Sequence, residues 1–267
     1  DRLTSGAGND VVFGGEAIFA FSDLKVNDPT RADFTFPPRF ADAQGDPVTR
    51  VEGLSLPLIT PKVTGGASVD GSLDGNDWID AGADDDVVFG GGMADRIVGG
   101  AGNDYLDGGA GEDTLWGEDC HDVLIGGANA DVIYGGGGID NLYGNAGDDV
   151  LMGDAGAPGQ RLYGGTGDDR LYAWAITPGA GGDQLFGDEG NDWLYGNVAS
   201  EVFFGGSGND NIFGDYLDGP LYGLNLLPDT RGGDDVMFGD AGEEILYGGA
   251  GDDILWGGAN SDVLEGG

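Results

Sequence analysis

Gly99-Gly100-Ala101-Gly102-Asn103-Asp104-Tyr105-Leu106-Asp107 runs directly into Gly108-Gly109-Ala110-Gly111-Glu112-Asp113-Thr114-Leu115-Trp116, a second copy of one nine-residue pattern. Outward from this pair an aspartate recurs at every ninth residue: Asp77, Asp86, Asp95, Asp104, Asp113, Asp122, Asp131, Asp140 and Asp149. Two residues after each stands an apolar side chain, from Ile79, Val88 and Ile97 through Leu106, Leu115 and Leu124 to Ile133, Leu142 and Leu151. The shared template is G-G-x-G-x-D-x-U-x, with U apolar.

A three-residue strand with one inward side chain, followed by a six-residue turn, buries nothing alone. Stacked, two repeats make a coil of 18 residues whose strands alternate between two parallel sheets, with the U side chains meeting in the middle. At ~4.8 Å between neighbouring strands, about ten coils give a rod of roughly 50 Å. The expected fold is an all-β solenoid.

Ser5 to Phe13 is a further copy, so residues 1–15 form a first repeat. The pattern then vanishes over residues 16–64, where Pro29, Pro37, Pro38, Pro47, Pro57 and Pro61 cluster with Phe19, Phe21, Phe34, Phe36 and Phe40. Lys25, Arg31, Arg39, Arg50 and Lys62, half of the chain's basic residues, lie here too. Prolines at this density exclude a long helix. The stretch reads as an extended insertion with one short hairpin, either packed back on the scaffold or reaching a partner. Repeats resume in residues 65–267, about twenty of them counted from Asp77. Their U positions continue as Leu162, Leu171, Leu185, Leu194, Phe203, Ile212, Leu221, Met237, Leu246, Leu255 and Leu264.

The composition demands a cation. With 58 Gly, 49 Asp plus Glu, 10 Lys plus Arg and a net charge of −39, the chain in plain water buries too little apolar surface to offset its conformational entropy. Nucleic acid is excluded as a partner by the lack of basic patches. A salt-adapted acidic coat does not account for aspartates locked to one period. Cys120 is the single cysteine, which rules out an intrachain disulfide, and with the lone His121 it makes no zinc cluster. No apolar run approaches the ~18 residues of a membrane span, and no signal-peptide core opens the chain. Beginning at Asp1 and stopping at Gly267 inside a repeat, the sequence reads as a piece of a longer protein.

Calcium is a hard cation that takes oxygen ligands, carboxylate and backbone carbonyl alike. Glycine at turn positions one, two and four lets the backbone aim carbonyls inward, and the position-six aspartate adds a carboxylate. Repeats two apart stack on the same edge, so an ion fits between turn n and turn n+2. These motifs cover about four fifths of the chain, which resembles the RTX family of secreted calcium-binding β-roll proteins. The resemblance implies a right-handed parallel β-roll with calcium between the turns. Carbonyls of positions one and three come from one turn, those of two and four from the other, together with both aspartates. The carbonyls so implied include Gly90, Gly92, Gly108, Gly109, Ala110, Gly111, Gly126, Gly127, Ala128 and Asn129, and Gly100, Gly102, Gly147, Gly167, Gly190, Gly208, Gly233, Gly249 and Gly251. The resemblance further implies export unfolded through a type I channel and folding in extracellular calcium.

Parity along the chain separates two edges. Odd repeats supply Asp77, Asp95, Asp113, Asp131, Asp149, Asp169, Asp192, Asp210, Asp235 and Asp253. Even repeats supply Asp86, Asp104, Asp122 and Asp140, then Gln160, Asp183, Glu201, Gly219, Glu244 and Asp262. Two of three long turn insertions (157–160 and 174–181) fall on even turns and the third (224–231) on an odd one. The expectation is about nine calcium ions on the odd edge and about three between Asp86 and Asp140 on the even edge, a dozen that bring roughly 24 positive charges.

Position nine is aromatic in a long row, including Trp116, Tyr134, Tyr143, Tyr163, Tyr172, Phe186, Tyr195, Phe204, Phe213, Phe238, Tyr247 and Trp256. At β-spacing these rings stack on the outer sheet faces, either as a stabilising ladder or as a docking face. No catalytic constellation emerges, since carboxylates committed to calcium are not acid/base pairs and one histidine without a placed nucleophile is no triad. The sequence points to a non-enzymatic extracellular scaffold of a cell-surface or secreted assembly, with protein subunits or a surface polymer as partners. Two alternatives are a secretion and folding module of an exported enzyme or toxin, and a carbohydrate-binding module using the aromatic row.

Overall fold

The computed structural model describes residues 2–7, 11–13, 75–153, 159–173, 181–215 and 233–267. The first coils comprise β1 (Arg2–Ala7), β2 (Val11–Phe13), β3 (Trp78–Ala83), β4 (Val87–Gly92), β5 (Arg96–Ala101), β6 (Tyr105–Ala110) and β7 (Thr114–Asp119). The middle comprises β8 (Val123–Ala128), β9 (Val132–Gly137), β10 (Asn141–Ala146), β11 (Val150–Met152), β12 (Arg161–Thr166), β13 (Arg170–Tyr172) and β14 (Gly181–Glu189). The last coils comprise β15 (Trp193–Tyr195), β16 (Ser200–Ser207), β17 (Asn211–Phe213), β18 (Val236–Ala241), β19 (Ile245–Tyr247), β20 (Ile254–Trp256) and β21 (Val263–Glu265).

Odd-numbered strands form one sheet of 11 and even-numbered strands another of 10, each strand pairing with those two before and two after it. Every pairing is parallel and in register: Ile79 faces Ile97, Ile97 faces Leu115, and Leu142 faces Leu162. This is the two-sheet solenoid that the nine-residue period predicts. Among the described residues no helix is long and apolar enough to cross a membrane.

The register follows from strand alternation. Along β5 the side chains of Ile97 and Gly99 point inward and those of Arg96 and Val98 outward, as successive residues of a pleated strand must. The U side chains Ile79, Val88, Ile97, Leu106, Leu115 and Leu124 through to Leu246 are fully buried in one continuous core. Each contributes about 1.5–3 kcal/mol of burial, but only when a neighbouring coil covers it. At the last coil cover is lost, and Leu264 is 46% exposed.

Strands β3 to β10 run for six residues rather than the expected three, because the turn backbones pair as well: Gly82 is in register with Gly100, and Ala83 with Ala101. Along the ladder each position-seven N–H donates to the position-six carbonyl of the preceding coil, as Arg96 does to Asp77 and Thr114 to Asp95 at 2.8 and 2.9 Å.

Two expectations are revised. Residues 1–15 are not a single repeat but carry strands of both sheets: Leu3 lies against Ile79 and Val12 against Val88. The hairpin expected within 16–64 lies outside the described residues. Both sheets close across it without a gap, so the whole insertion leaves and rejoins the roll between β2 and β3.

The second revision is parity beyond Asp210. The repeat inferred around Gly219 and Leu221, outside the described residues, separates no pair of strands, because β16 pairs directly with β18 and β17 with β19. Asp235 and Asp253 therefore enter even strands, not odd ones, and Glu244 and Asp262 enter odd strands, not even ones. The physical reason is Pro220, which stands at position seven of the inferred repeat. Proline has no N–H to give to the ladder at the position where every coil needs one. Residues 214–235 are one long turn.

With parity corrected, all three long insertions, including the one once assigned to an odd turn, lie on the even edge. From Asp77 onward the odd edge is an unbroken row of six-residue turns.

Candidate metal centre

Each turn is shaped by two left-handed residues. In turn 99–104 these are Gly100 at φ +113° and Gly102 at φ +151°, and the same two positions recur in Gly109 and Gly111 of the next odd turn. Non-glycine residues take the fourth position with positive φ at Asp84, Met93, Cys120 and Asn129. Met93 and Cys120, irregular in the sequence pattern, thus leave the local backbone path intact.

The first glycine serves space instead. A Cβ at Gly90 would stand 2.6 Å from Asp95 Oδ2 and 2.6 Å from the Gly108 carbonyl of the next coil. At Gly99 it would meet Asp104 Oδ2 at 2.5 Å and the Gly117 carbonyl at 3.0 Å, and at Gly108 Asp113 Oδ2 at 2.5 Å and the Gly126 carbonyl at 2.7 Å. Two oxygens thus converge on a space that only a missing side chain keeps open.

The other carbonyls face the same step between coils. Those of positions two and four point forward, Gly82 and Asp84 lying against Gly100 and Gly102 of the next turn. That of position three points back, Asp119 accepting the Gly102 N–H and Ala128 the Gly111 N–H. Between consecutive turns of an edge the structure therefore gathers carbonyls two and four of one with one and three of the other. Gly90, Gly92, Gly108, Ala110, Gly126 and Ala128 sit in the odd row of these steps, and Gly100 and Gly102 in the even row. Gly233, Gly249 and Gly251 belong to the even edge rather than the odd.

The aspartates complete the step. On the odd edge Asp77, Asp95, Asp113, Asp131, Asp149, Asp169, Asp192 and Asp210 are at most 5% exposed. One oxygen of each is structural: Asp113 Oδ1 accepts the Asp95 N–H at 2.7 Å, Asp131 Oδ1 that of Asp113 at 2.8 Å and Asp149 Oδ1 that of Asp131 at 2.7 Å. The even edge repeats this with Asp104, Asp122 and Asp140, and resumes with Asp183, Asp235 and Asp253. The other oxygen is not. Oδ2 of Asp104, Asp113, Asp122, Asp131, Asp149, Asp169, Asp183, Asp192, Asp210 and Asp235 is buried with no hydrogen-bond partner.

Buried carboxylate oxygens in file are costly unless a cation faces them. Burial pushes the Asp122, Asp131 and Asp169 carboxyls up to about 8, helped by repulsion from their ladder neighbours and opposed by the backbone N–H each accepts. Without a cation these groups hold protons near neutrality. Among the described residues no three acidic, histidine or cysteine side chains cluster. The donor set is instead one carboxylate per turn plus main-chain carbonyls, the all-oxygen chemistry of calcium, and the residues present fit that ion.

Position five, which the template leaves free, carries a second ladder that sequence reasoning missed. Asp85 Oδ1 accepts the Asn103 N–H, Asn103 Oδ1 that of His121, and His121 Nδ1 that of Ile139, at 2.7, 3.2 and 2.8 Å. On the odd edge Asp148, Asp168, Asn191 and Asn209 do the same. The signal was the run of short polar acceptors at that position.

On the outer faces the position-nine rings stack as predicted, in two rows. Tyr143, Tyr163, Phe186 and Phe204 stand 4.7–4.9 Å apart and within 7° of parallel on the even sheet. Tyr172, Tyr195, Phe213 and Tyr247 follow at 4.7–5.3 Å on the odd sheet. Phe238 stacks on Phe204 of the even row, in keeping with the corrected parity.

A family model of the RTX calcium-binding nonapeptide repeat, four copies long, matches residues 1–17, 73–97, 89–124, 125–157, 160–175, 177–212 and 238–267, more than half of the chain. The unmatched stretch after residue 212 spans the long turn that shifts the parity. No curated protein matches the chain.

Proposed function

The chain belongs to the family of RTX calcium-binding nonapeptide repeats, and from that premise we propose that it is a calcium-stiffened scaffold of a cell-surface or secreted assembly. The observation that carries this reading is the unbroken odd edge. Eight buried aspartates from Asp77 to Asp210, continued by Glu244 and Asp262, line turns that no insertion interrupts. Calcium between these turns is held by the position-six carboxylates and by the carbonyls of positions one to four, and it neutralises their charge. Because the sites do not exist in the unfolded chain, binding free energy becomes folding free energy. The carboxylates are committed as ligands, and the scaffold carries no acid/base chemistry.

Low cytosolic and high extracellular calcium makes such a chain foldable only after export, which supports a location outside the cell. Insertions confined to the even edge and to the turn before Asp77 favour a scaffold that presents loops to protein subunits or a surface polymer over a plain secretion tail. The carbohydrate reading receives less support: rings stacked face to face cover each other's π-faces and leave mainly edges outward.

Circular dichroism with calcium titrated into the chelated chain tests the proposal. Far-ultraviolet β-signal is expected to be absent in chelator and to appear cooperatively with calcium. A spectrum indifferent to chelator would remove calcium from the fold.

A further inference from the structure

One turn of the even edge departs from the rest. Gly196-Asn197-Val198-Ala199-Ser200-Glu201 has no residue in the left-handed region, whereas the even-edge turn two coils on has Gly249 at φ +105° and Gly251 at φ +145°. Asn197 holds the turn by other means, its Oδ1 accepting the Ala199 N–H at 2.8 Å, while its Nδ2 is buried without a partner. Position six is Glu201, fully buried.

The extra methylene of glutamate has a visible use. Oε2 reaches back to accept the Asn197 N–H at 3.2 Å, which leaves Oε1 buried with no hydrogen-bond partner. On the next coil Asp235, also fully buried, accepts the Glu201 N–H through Oδ1 at 2.8 Å, and its Oδ2 is buried and partnerless. The two carboxyl groups lie within hydrogen-bonding reach of each other, with Asp183 and Asp215 adding negative charge nearby. The Ala199 carbonyl lies against Gly233 and the Gly214 carbonyl against Gly196, so both edge the same step. Two like charges pressed together out of water call for a positive one.

We infer that the step between Glu201 and Asp235 is a divalent-cation site built differently from the ladder sites: Glu201 Oε1 and Asp235 Oδ2 supply two anionic oxygens, and the carbonyls of Ala199 and Gly214 supply neutral ones. The site rests on the calcium reading above. It differs in its glutamate, in its lack of left-handed residues and in its place at the base of the long turn. Asp215, which opens that turn, accepts the Gly233 N–H that closes it at 3.2 Å and the Ala250 N–H of the next coil at 2.6 Å. An ion at Glu201 and Asp235 therefore fixes both ends of the 216–232 excursion to the roll.

Native mass spectrometry at saturating calcium counts the ions on the full chain, with circular dichroism recording the β-content of each variant. Glu201→Gln is expected to carry one ion fewer than the unaltered chain at equal β-content. Glu201→Asp is expected to lose the same ion, because aspartate is one methylene short of spanning the Asn197 N–H and the cation together. An unchanged count in Glu201→Gln overturns the site and leaves the two carboxyls sharing a proton. An unchanged count in Glu201→Asp overturns the different build. If Glu201→Gln fails to reach full β-content, Asp235→Asn decides: it keeps the Oδ1 acceptor, and a full ion count there overturns the site. A chain that binds no calcium at any turn overturns the proposed function itself, whereas loss of this one ion alone leaves that function standing.

Discussion

A ladder aspartate divides its two oxygens between the backbone and the ion, and substitution separates the two roles. Asp131→Asn retains an acceptor for the Asp113 N–H but not the charge, so it is expected to fold with a calcium midpoint shifted upward. Asp131→Ala also strands a buried N–H, an additional cost of about 1–3 kcal/mol, and its midpoint by circular dichroism is expected to lie higher still. At Gly102, φ is +151° and a Cβ would run into the Asp84 carbonyl. Gly102→Ala is expected to destabilise the calcium-loaded form by more than about 1 kcal/mol in denaturant titration, and Gly102→Asn by less. The aspartate and glycine positions were legible in sequence because one chemistry recurs at one spacing. The position-five ladder was not, because Asp85, Asn103 and His121 share only a short acceptor, which three different residue types provide.

At the scale of strands the decisive group is the position-seven N–H. Thr114→Pro deletes the bond to the Asp95 carbonyl inside an otherwise regular coil and is expected to cost about 3 kcal/mol or more, read as loss of calcium-induced β-signal at calcium concentrations that fold the parent. The same physics made residues 214–235 illegible to period counting. Leu221 and Tyr222 satisfy the apolar and aromatic positions of a repeat, but Pro220 denies the ladder its donor, and a search for side-chain pattern alone passes over a missing backbone proton. The outer rings form a second tie between strands. Tyr163 stacks on both Tyr143 and Phe186, so Tyr163→Ala is expected to raise the calcium midpoint by breaking two ring contacts worth about 0.5–1.5 kcal/mol each.

Across the molecule, stability is a sum over neighbouring coils, and position along the rod decides what a residue is worth. Leu124→Ala in the fully covered core is expected to cost about 2–5 kcal/mol. Leu264→Ala, on the last coil and 46% exposed, is expected to cost under about 1 kcal/mol, the two compared by urea unfolding in saturating calcium. The solenoid itself was legible from the period, since a nine-residue unit with one apolar residue can bury it only by stacking. Which edge takes the insertions depended on a single strand count and had to come from the hydrogen-bonded pairs. The resulting asymmetry has a mechanical meaning. A rod braced along its whole odd side and interrupted along the other resists bending unequally. It hinges like a bound book, with the odd edge as the spine and the excursions opening or closing together at the fore-edge.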